Sequence, residues 1–233
     1  MGQATTTLYR QTAYFFPMML VLVVLGFWLS YFTVLQSIRL TVHIHGFLML
    51  AWMGVLIAQG LLVRSGRMIW HRRVGKASYV IAPVIVLFGF VVMRGSLGGP
   101  GSEHSPLDLQ ILTLSLGAIL QFGLTYALAI YYRWNTQLHA RFMISTGLIL
   151  TSAGTVRIFR DWILGMSRFP MAANANFILL EVLTVALILN DLRLGRIRAP
   201  FVLLLALFVS QHVLFWTAAD MGWWQTLARW IGG

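Results

Sequence analysis

Long apolar runs separated by short polar segments dominate the pattern of this chain. A membrane-spanning helix needs about 20 mostly apolar residues, with about 17 as the lower limit. Seven runs reach that length, and no polar segment between them is long enough for a soluble domain. The pattern therefore predicts an all-α membrane protein with one transmembrane domain over residues 1–233, in which seven helices span residues 14–33, 40–63, 77–93, 107–132, 139–156, 173–192 and 201–217.

The two ends of the chain need separate interpretations. The first apolar run has no small-residue cleavage site followed by a polar mature domain, so it is interpreted as a retained helix and not as a signal peptide. The tail at 223–233 is too short to cross a membrane. It carries Trp223, Trp224 and Trp230 around Arg229. Because Trp favours the headgroup boundary, the tail is predicted to be a short interfacial segment.

Composition agrees with this class and excludes several others. Hydrophobic residues make up 59% of the 233 residues and charged residues only 10%, against about 25% charged in soluble domains. The chain has no cysteine, which excludes disulfides and cysteine-ligated iron–sulfur clusters. We find no nucleotide-binding, kinase or serine-hydrolase motif. Whether the protein is an enzyme stays open.

The positive charge predicts an orientation. The chain has 17 Lys and Arg against 6 Asp and Glu. Eleven of these cations fall before span one or beside the connections after spans two, four and six, and six fall on the other side. Because cytoplasmic loops are enriched in Lys and Arg, the N-terminus is predicted in the cytoplasm and the C-terminus in the periplasm. The charge thus indicates topology, with contact to anionic lipid as a second role, and not a nucleic-acid partner.

Ionisable residues inside a span are costly and are therefore candidates for function. His45 and His212 lie on different spans at similar depth, so together they can bind a transition metal or a b-type haem. Arg157 and Arg160 lie on the same side and can neutralise carboxylates such as haem propionates. Packing roles with ordinary hydrogen bonds stay open for both histidines, and His43, at the boundary, is expected to have such a role.

Glu181 is the one acidic residue near the middle of a predicted span. It must be protonated, paired or exposed to a wet cavity. Pairing with Arg157 is the first expectation, and a proton relay or substrate binding is the alternative.

A second cluster is predicted at the cytoplasmic side. His71 lies just before span three and His139 at the start of span five, and Gln59 is one turn from the inner end of span two. Water can solvate histidines at this interface. A surface metal, a helix-end hydrogen bond or a contact with lipid phosphate is therefore favoured over haem at this position.

Span five itself is expected to lie inside the bundle. His139 and Arg157 are 18 residues apart, which is five helical turns, so they share one face with Thr146 between them. The span is also rich in Gly, Ala, Ser and Thr. Such small residues favour close contact between membrane helices.

The segments IHG, HRRVG and LHARFMISTGLILTSAGTVRIF, with Gln59 between the first two, resemble the predicted bacterial membrane proteins grouped as domain of unknown function 2306. The resemblance covers about residues 41–159 and implies the helical fold more than a function. It also implies a bacterial inner-membrane location. The positions that match are His45, Gln59, His71, Gly75, His139, Arg141, Met143 and Arg157.

Two hypotheses of function follow from these residues. In the first, the bundle binds haem b or a metal ion through intramembrane histidines and takes part in electron transfer, with quinone as a partner. In the second, the protein holds no cofactor and is an accessory subunit of a membrane complex, a small transporter or a lipid-interacting protein.

Overall fold

The described part of the chain is helical throughout. The structure is a computed structural model, and it describes residues 3–97, 104–164 and 168–232. Within these residues there is no β-strand. The helices are α1 (Gln3–Phe27), α2 (Leu40–Arg64), α3 (Met68–Ser96), α4 (Pro106–Tyr131), α5 (Thr136–Arg157), α6 (Phe169–Arg193), α7 (Ala199–Thr217) and α8 (Gly222–Gly232).

Six of the described helices, α2 to α7, are long and apolar enough to cross a membrane. The apolar part of α1, Tyr14–Phe27, is shorter than the others. The helical class and the multi-pass character are therefore confirmed. Crossing by α1, and with it the count of seven spans, stays a prediction, as does the orientation.

Two helix boundaries differ from the prediction. Helix α1 ends at Phe27, not at residue 33, and a 3-10 segment over Phe32–Ser37 follows it, interrupted by a non-helical Val34. Helix α3 begins at Met68, nine residues before the predicted start. Gly66, with φ of +72°, supplies the left-handed residue that separates α2 from α3. The charged segment that follows Gly66 is thus the first part of a helix, which places His71 on α3 and not in a loop.

Local signals define the starts of α4 and α5. Ser105 and Asp108 form a reciprocal capping box at the start of α4, with Pro106 in the first turn. The Asn135 side chain accepts a hydrogen bond from the backbone of Leu138 at the start of α5. Residues 98–103, which contain most of the Gly-Pro-rich stretch before α4, lie outside the described residues.

Glycines allow α1 and α5 to pack in close parallel contact. A Cβ on Gly154 would lie 2.7 Å from the Cα of Val23, and a Cβ on Gly147 would lie 3.0 Å from the Phe16 ring. Both helices therefore end on one side of the bundle. We call the side on which α1 begins the N-terminal end and the other side the opposite end.

Helix α5 is the central helix of the bundle. In its apolar window 67% of the residues are buried, compared with 33% or less in each of the other five candidate spans. The indole of Trp52 on α2, fully buried, donates a hydrogen bond to the Thr146 hydroxyl at 3.3 Å. The expectation that the small residues of this span form close helix contacts is confirmed.

The C-terminal tail forms the separate helix α8. Trp224 is buried and donates to the Leu109 carbonyl at 3.4 Å, which attaches the tail to α4. Trp223 and Trp230 are 59% and 79% exposed. The interfacial position of these two indoles stays a prediction.

Candidate functional site

The N-terminal end of the bundle brings together Gln59, His71 and His139. Gln59 lies one turn from the end of α2, and its side-chain amide donates to the backbone carbonyl of His71 at 3.1 Å. His71 on α3 and His139 on α5 lie close enough for a charge on one ring to act on the other. The three residues lie on three different helices, and their role as a site stays a prediction.

His139 has one ring nitrogen occupied and one available. Its Nδ1 lies 2.8 Å from the carbonyl oxygen of Ala129 on α4. A carbonyl can only accept, so Nδ1 carries the proton and Nε2 carries the lone pair in the neutral ring. A metal-binding histidine typically donates its second ring nitrogen to a carbonyl or carboxylate in this way. The orientation of His139 therefore fits a ligand.

His71 and Gln59 each hold a buried polar atom without a partner. These atoms are Nδ1 of His71 and Oε1 of Gln59. A buried polar atom that makes no hydrogen bond costs about 1–3 kcal/mol. The sequence predicted that water would solvate this cluster, but the structure buries part of it, because α3 begins before His71 and packs it against α2.

The side chains of this cluster that can donate a lone pair to a metal are two imidazoles. Within the described residues no group of three or more His, Asp or Glu side chains could hold a metal ion. Two imidazoles alone would leave a metal ion short of protein ligands. A haem brings four ring nitrogens of its own and needs only axial ligands from the protein. The cluster therefore supplies two imidazoles on different helices, a ligand type that a metal ion and a haem can both use.

The predicted site at the opposite end centres on His45 and Arg157. Nδ1 of His45 and Nε of Arg157 are both buried without a partner. The two side chains lie within electrostatic range of each other. Arg157 donates from its Nη1 to the Ala153 carbonyl at 2.7 Å, and its guanidinium carbon lies 4.1 Å from the centre of the Phe27 ring.

His212, the predicted partner of His45, has hydrogen-bond partners at both ring nitrogens. Nδ1 lies 2.9 Å from Oε1 of Glu181, and Nε2 lies 2.9 Å from Oδ1 of Asn174. The ring also stacks on Phe177, with centres 4.7 Å apart. Binding of a metal by His212 would require one of these hydrogen bonds to break. The geometry of His212 thus favours its packing role.

Glu181 pairs with His212 and not with Arg157, which corrects the first expectation from the sequence. The reason is helix adjacency, since Glu181 on α6 faces the neighbouring helix α7. Arg160, the second predicted cation, pairs with the adjacent Asp161, with Nη2 and Oδ2 2.9 Å apart in a π-helical segment over Ile158–Leu164. Arg157 is therefore the cation of the predicted set that makes no hydrogen bond to a carboxylate.

The bundle contains a buried ion pair that was not predicted from the sequence. Arg141 on α5 and Asp191 on α6 form a bidentate pair in which both side chains are 1% exposed. Nη1 of Arg141 also donates to the Gln137 side chain at 2.8 Å. The available signal was depth, because Arg141 is near the start of α5 and Asp191 near the end of α6, on the same side of the membrane.

Comparisons of the chain with protein-family models, with curated proteins and with solved structures find no match.

Proposed function

We propose that this multi-pass membrane protein binds haem b at the N-terminal end of the bundle and takes part in electron transfer. His71 and His139 are the proposed axial ligands. The observation that supports the proposal is a pair of imidazoles within electrostatic range at one end of the bundle, one oriented by the Ala129 carbonyl and the other left with a buried, unpartnered nitrogen. Bound haem supplies one-electron chemistry, and quinol is the proposed partner in the membrane.

Each surrounding residue has a definite part in this proposal. The Ala129 carbonyl fixes the His139 ring and raises its basicity as a ligand. The Gln59 amide holds the backbone at His71, so the position of that ring depends on the contact between α2 and α3. Arg72 follows His71 and supplies an exposed cation for a propionate carboxylate.

We further propose seven crossings in a bacterial inner membrane, with the N-terminal end in the cytoplasm. Support comes from the excess of Lys and Arg at that end. Labelling single cysteines tests the orientation, because the chain has no cysteine of its own. A cysteine at Ser65 is expected to react with an impermeant maleimide only after the cell is opened, and one at Ser37 to react in intact spheroplasts. The reverse result would overturn the orientation.

Haem content of the purified protein tests the cofactor proposal. We expect the wild-type protein, made in cells supplied with a haem precursor, to show sharp Soret and alpha bands in a reduced-minus-oxidised spectrum. His71→Ala and His139→Ala are each expected to lose at least about nine-tenths of this haem, because an axial ligand is removed.

Other histidines provide matched controls. His43→Ala and His212→Ala are expected to retain the bands, since His43 lies at the opposite end of the bundle and both nitrogens of His212 are occupied. A colourless wild-type protein that is intact and monodisperse would contradict the proposal. Loss of haem from His45→Ala and His212→Ala, with full retention in the His71 and His139 variants, would move the site to the opposite end.

A cofactor-free accessory subunit, small transporter or lipid-interacting protein is the second candidate function. The observation that favours it is the internal pairing of several polar groups in the bundle, including Arg141 with Asp191 and Gln121 with Gln211. Such pairs act as structural contacts between membrane helices. Co-purification of a stoichiometric membrane partner with a colourless protein would support this function over the first.

A further inference from the structure

Three polar atoms at the opposite end of the bundle are buried without a partner. They are Oγ of Ser30, Nδ1 of His45 and Nε of Arg157. Ser30 lies just after α1, His45 is near the start of α2, and Arg157 ends α5. These three helices pack against one another. The unpartnered atoms therefore lie on neighbouring helix ends and not at scattered positions.

Aromatic side chains of the α1 end connect these positions. The Phe27 ring lies under the Arg157 guanidinium. The Tyr31 hydroxyl lies 2.7 Å from Nδ1 of His43. It also lies 3.7 Å from where a Cβ on Gly46 would be placed. The segment that holds Ser30 thus packs between the end of α5 and the start of α2.

No carboxylate among the described residues bonds Arg157, although Asp161 and the Arg160 that it bonds both lie within electrostatic range of it. Asp161 pairs with Arg160, Glu181 with His212 and Asp191 with Arg141. Among the described residues, no carboxylate makes a hydrogen bond to the Arg157 guanidinium. A buried guanidinium is costly in a membrane unless it is paired. A negatively charged group would offset that cost, whereas a neutral ligand would not.

We propose that the helix ends around Arg157 bind the oxyanion of a small ligand, a phosphate or a carboxylate. Nε of Arg157 and the Ser30 hydroxyl donate to the oxyanion, and Nδ1 of His45 donates when it carries the proton. Arg160 is not part of the site, because Asp161 occupies it. This site lies at the other end of the bundle from the proposed haem ligands and does not depend on haem.

Thermal unfolding of the purified protein tests the site. The delipidated protein is kept in detergent in a bis-tris propane chloride buffer, which contains no oxyanion, and its unfolding midpoint is followed by Trp fluorescence. The probes are inorganic phosphate, acetate and phosphatidylglycerol in mixed micelles. Diacylglycerol with the same acyl chains is the control for the lipid. At least one probe is expected to raise the midpoint in a saturable way.

Variants show whether the rise comes from this site. Arg157→Gln is expected to raise the half-saturating concentration about tenfold or more, because a charged hydrogen bond is lost. Ser30→Ala and His45→Gln are expected to raise it about threefold each. Arg229→Gln removes one exposed cation of α8 and is expected to leave it unchanged. If Arg157→Gln does not fold, the Ser30→Ala/His45→Gln double variant tests the site in its place. Its half-saturating concentration is expected to be about tenfold higher than that of the wild type.

The outcomes separate the sources of the oxyanion. A response to phosphate or acetate would indicate a soluble ligand, and a response only to phosphatidylglycerol would indicate a lipid headgroup. Either result supports the site. No response to any probe would overturn it, and so would an equal response in wild type and in the variants.

Discussion

Buried polar groups in two regions of this bundle have opposite environments. Between α5 and α6, Arg141 is bonded to Asp191, and Asn176 is bonded to Thr155 and Ser152. At the N-terminal end, His71 and Gln59 each leave one buried atom without a partner. An unsatisfied charge costs far more to bury than an unsatisfied neutral amide or imidazole. The first region holds two helices together, and the second is the one to which the proposed function assigns haem.

The largest expected effect comes from the partnered region. Arg141→Ala is expected to destabilise the protein by about 3–5 kcal/mol, because it leaves the buried Asp191 carboxylate without its cation. Unfolding in a denaturing detergent titration measures this change. Arg133→Ala is the matched control, since Arg133 is exposed and bonds only its own helix end. A cost below about 1 kcal/mol for Arg141→Ala would show that the pair does not hold α5 against α6.

The next largest change in stability is expected from the close packing of α1 against α5. Gly154→Ala would place a Cβ 2.7 Å from the Val23 backbone, so the two helices must separate, at an expected cost of about 1–3 kcal/mol. Gly54→Ala is the control, because a Cβ there meets nothing within 4 Å. Ala is the better helix former, and this control is expected to be neutral or stabilising by up to about 1 kcal/mol. Equal effects in the same unfolding titration would contradict the close contact.

The pairing of Glu181 with His212 is expected to contribute less to stability than the contacts of α5 with α6 and α1. A double-mutant cycle of Glu181→Gln with His212→Gln is expected to show a coupling of about 0.5–1 kcal/mol, because the two side chains are hydrogen-bonded. A cycle of Glu181→Gln with Arg157→Gln is expected to be additive within about 0.5 kcal/mol. The opposite result would restore the pairing that the sequence alone suggested.

Gln59 gives the smallest expected change, and Gln121 is the glutamine with which it is compared. Gln59→Met removes one hydrogen bond and one unpartnered oxygen, so a cost below about 1 kcal/mol is expected. Gln121→Met also removes an unpartnered oxygen, but it leaves Oε1 of Gln211 without its donor, and a cost of about 1–3 kcal/mol is expected. The free energy of unfolding of the haem-free variants measures both. Similar costs would show that Gln59 is as structural as Gln121.

Apolar run length was sufficient to predict both ends of α2 and of α4 to α7 to within about four residues, because a membrane fixes the length of a spanning helix. The start of α3 was missed because its first turns are charged. Charged residues can be helical at a membrane interface, but they do not add to an apolar run. The central position of α5 could be predicted from its small residues, which only close packing explains.

Side-chain partners were harder to predict than helices. Glu181 was expected to pair with Arg157. Its partner depends on which helix packs beside α6, and the lengths of the apolar runs do not show which helices are neighbours. Arg141 was interpreted as a topology signal only, and its pairing with Asp191 needed the same knowledge of neighbours. Whether the ring nitrogens of His71 and His212 find hydrogen-bond partners likewise depends on which helices pack beside them. The resemblance to domain of unknown function 2306 stays a prediction.

The electron paramagnetic resonance spectrum of the oxidised, purified protein tests the central claim most directly. Two imidazole ligands are expected to give a low-spin ferric haem signal in the wild type, and His139→Ala is expected to convert any haem that remains to a high-spin signal. Haem that stays low-spin in both His71→Ala and His139→Ala would contradict ligation at the N-terminal end. A wild-type protein that never acquires haem would contradict the proposed function itself.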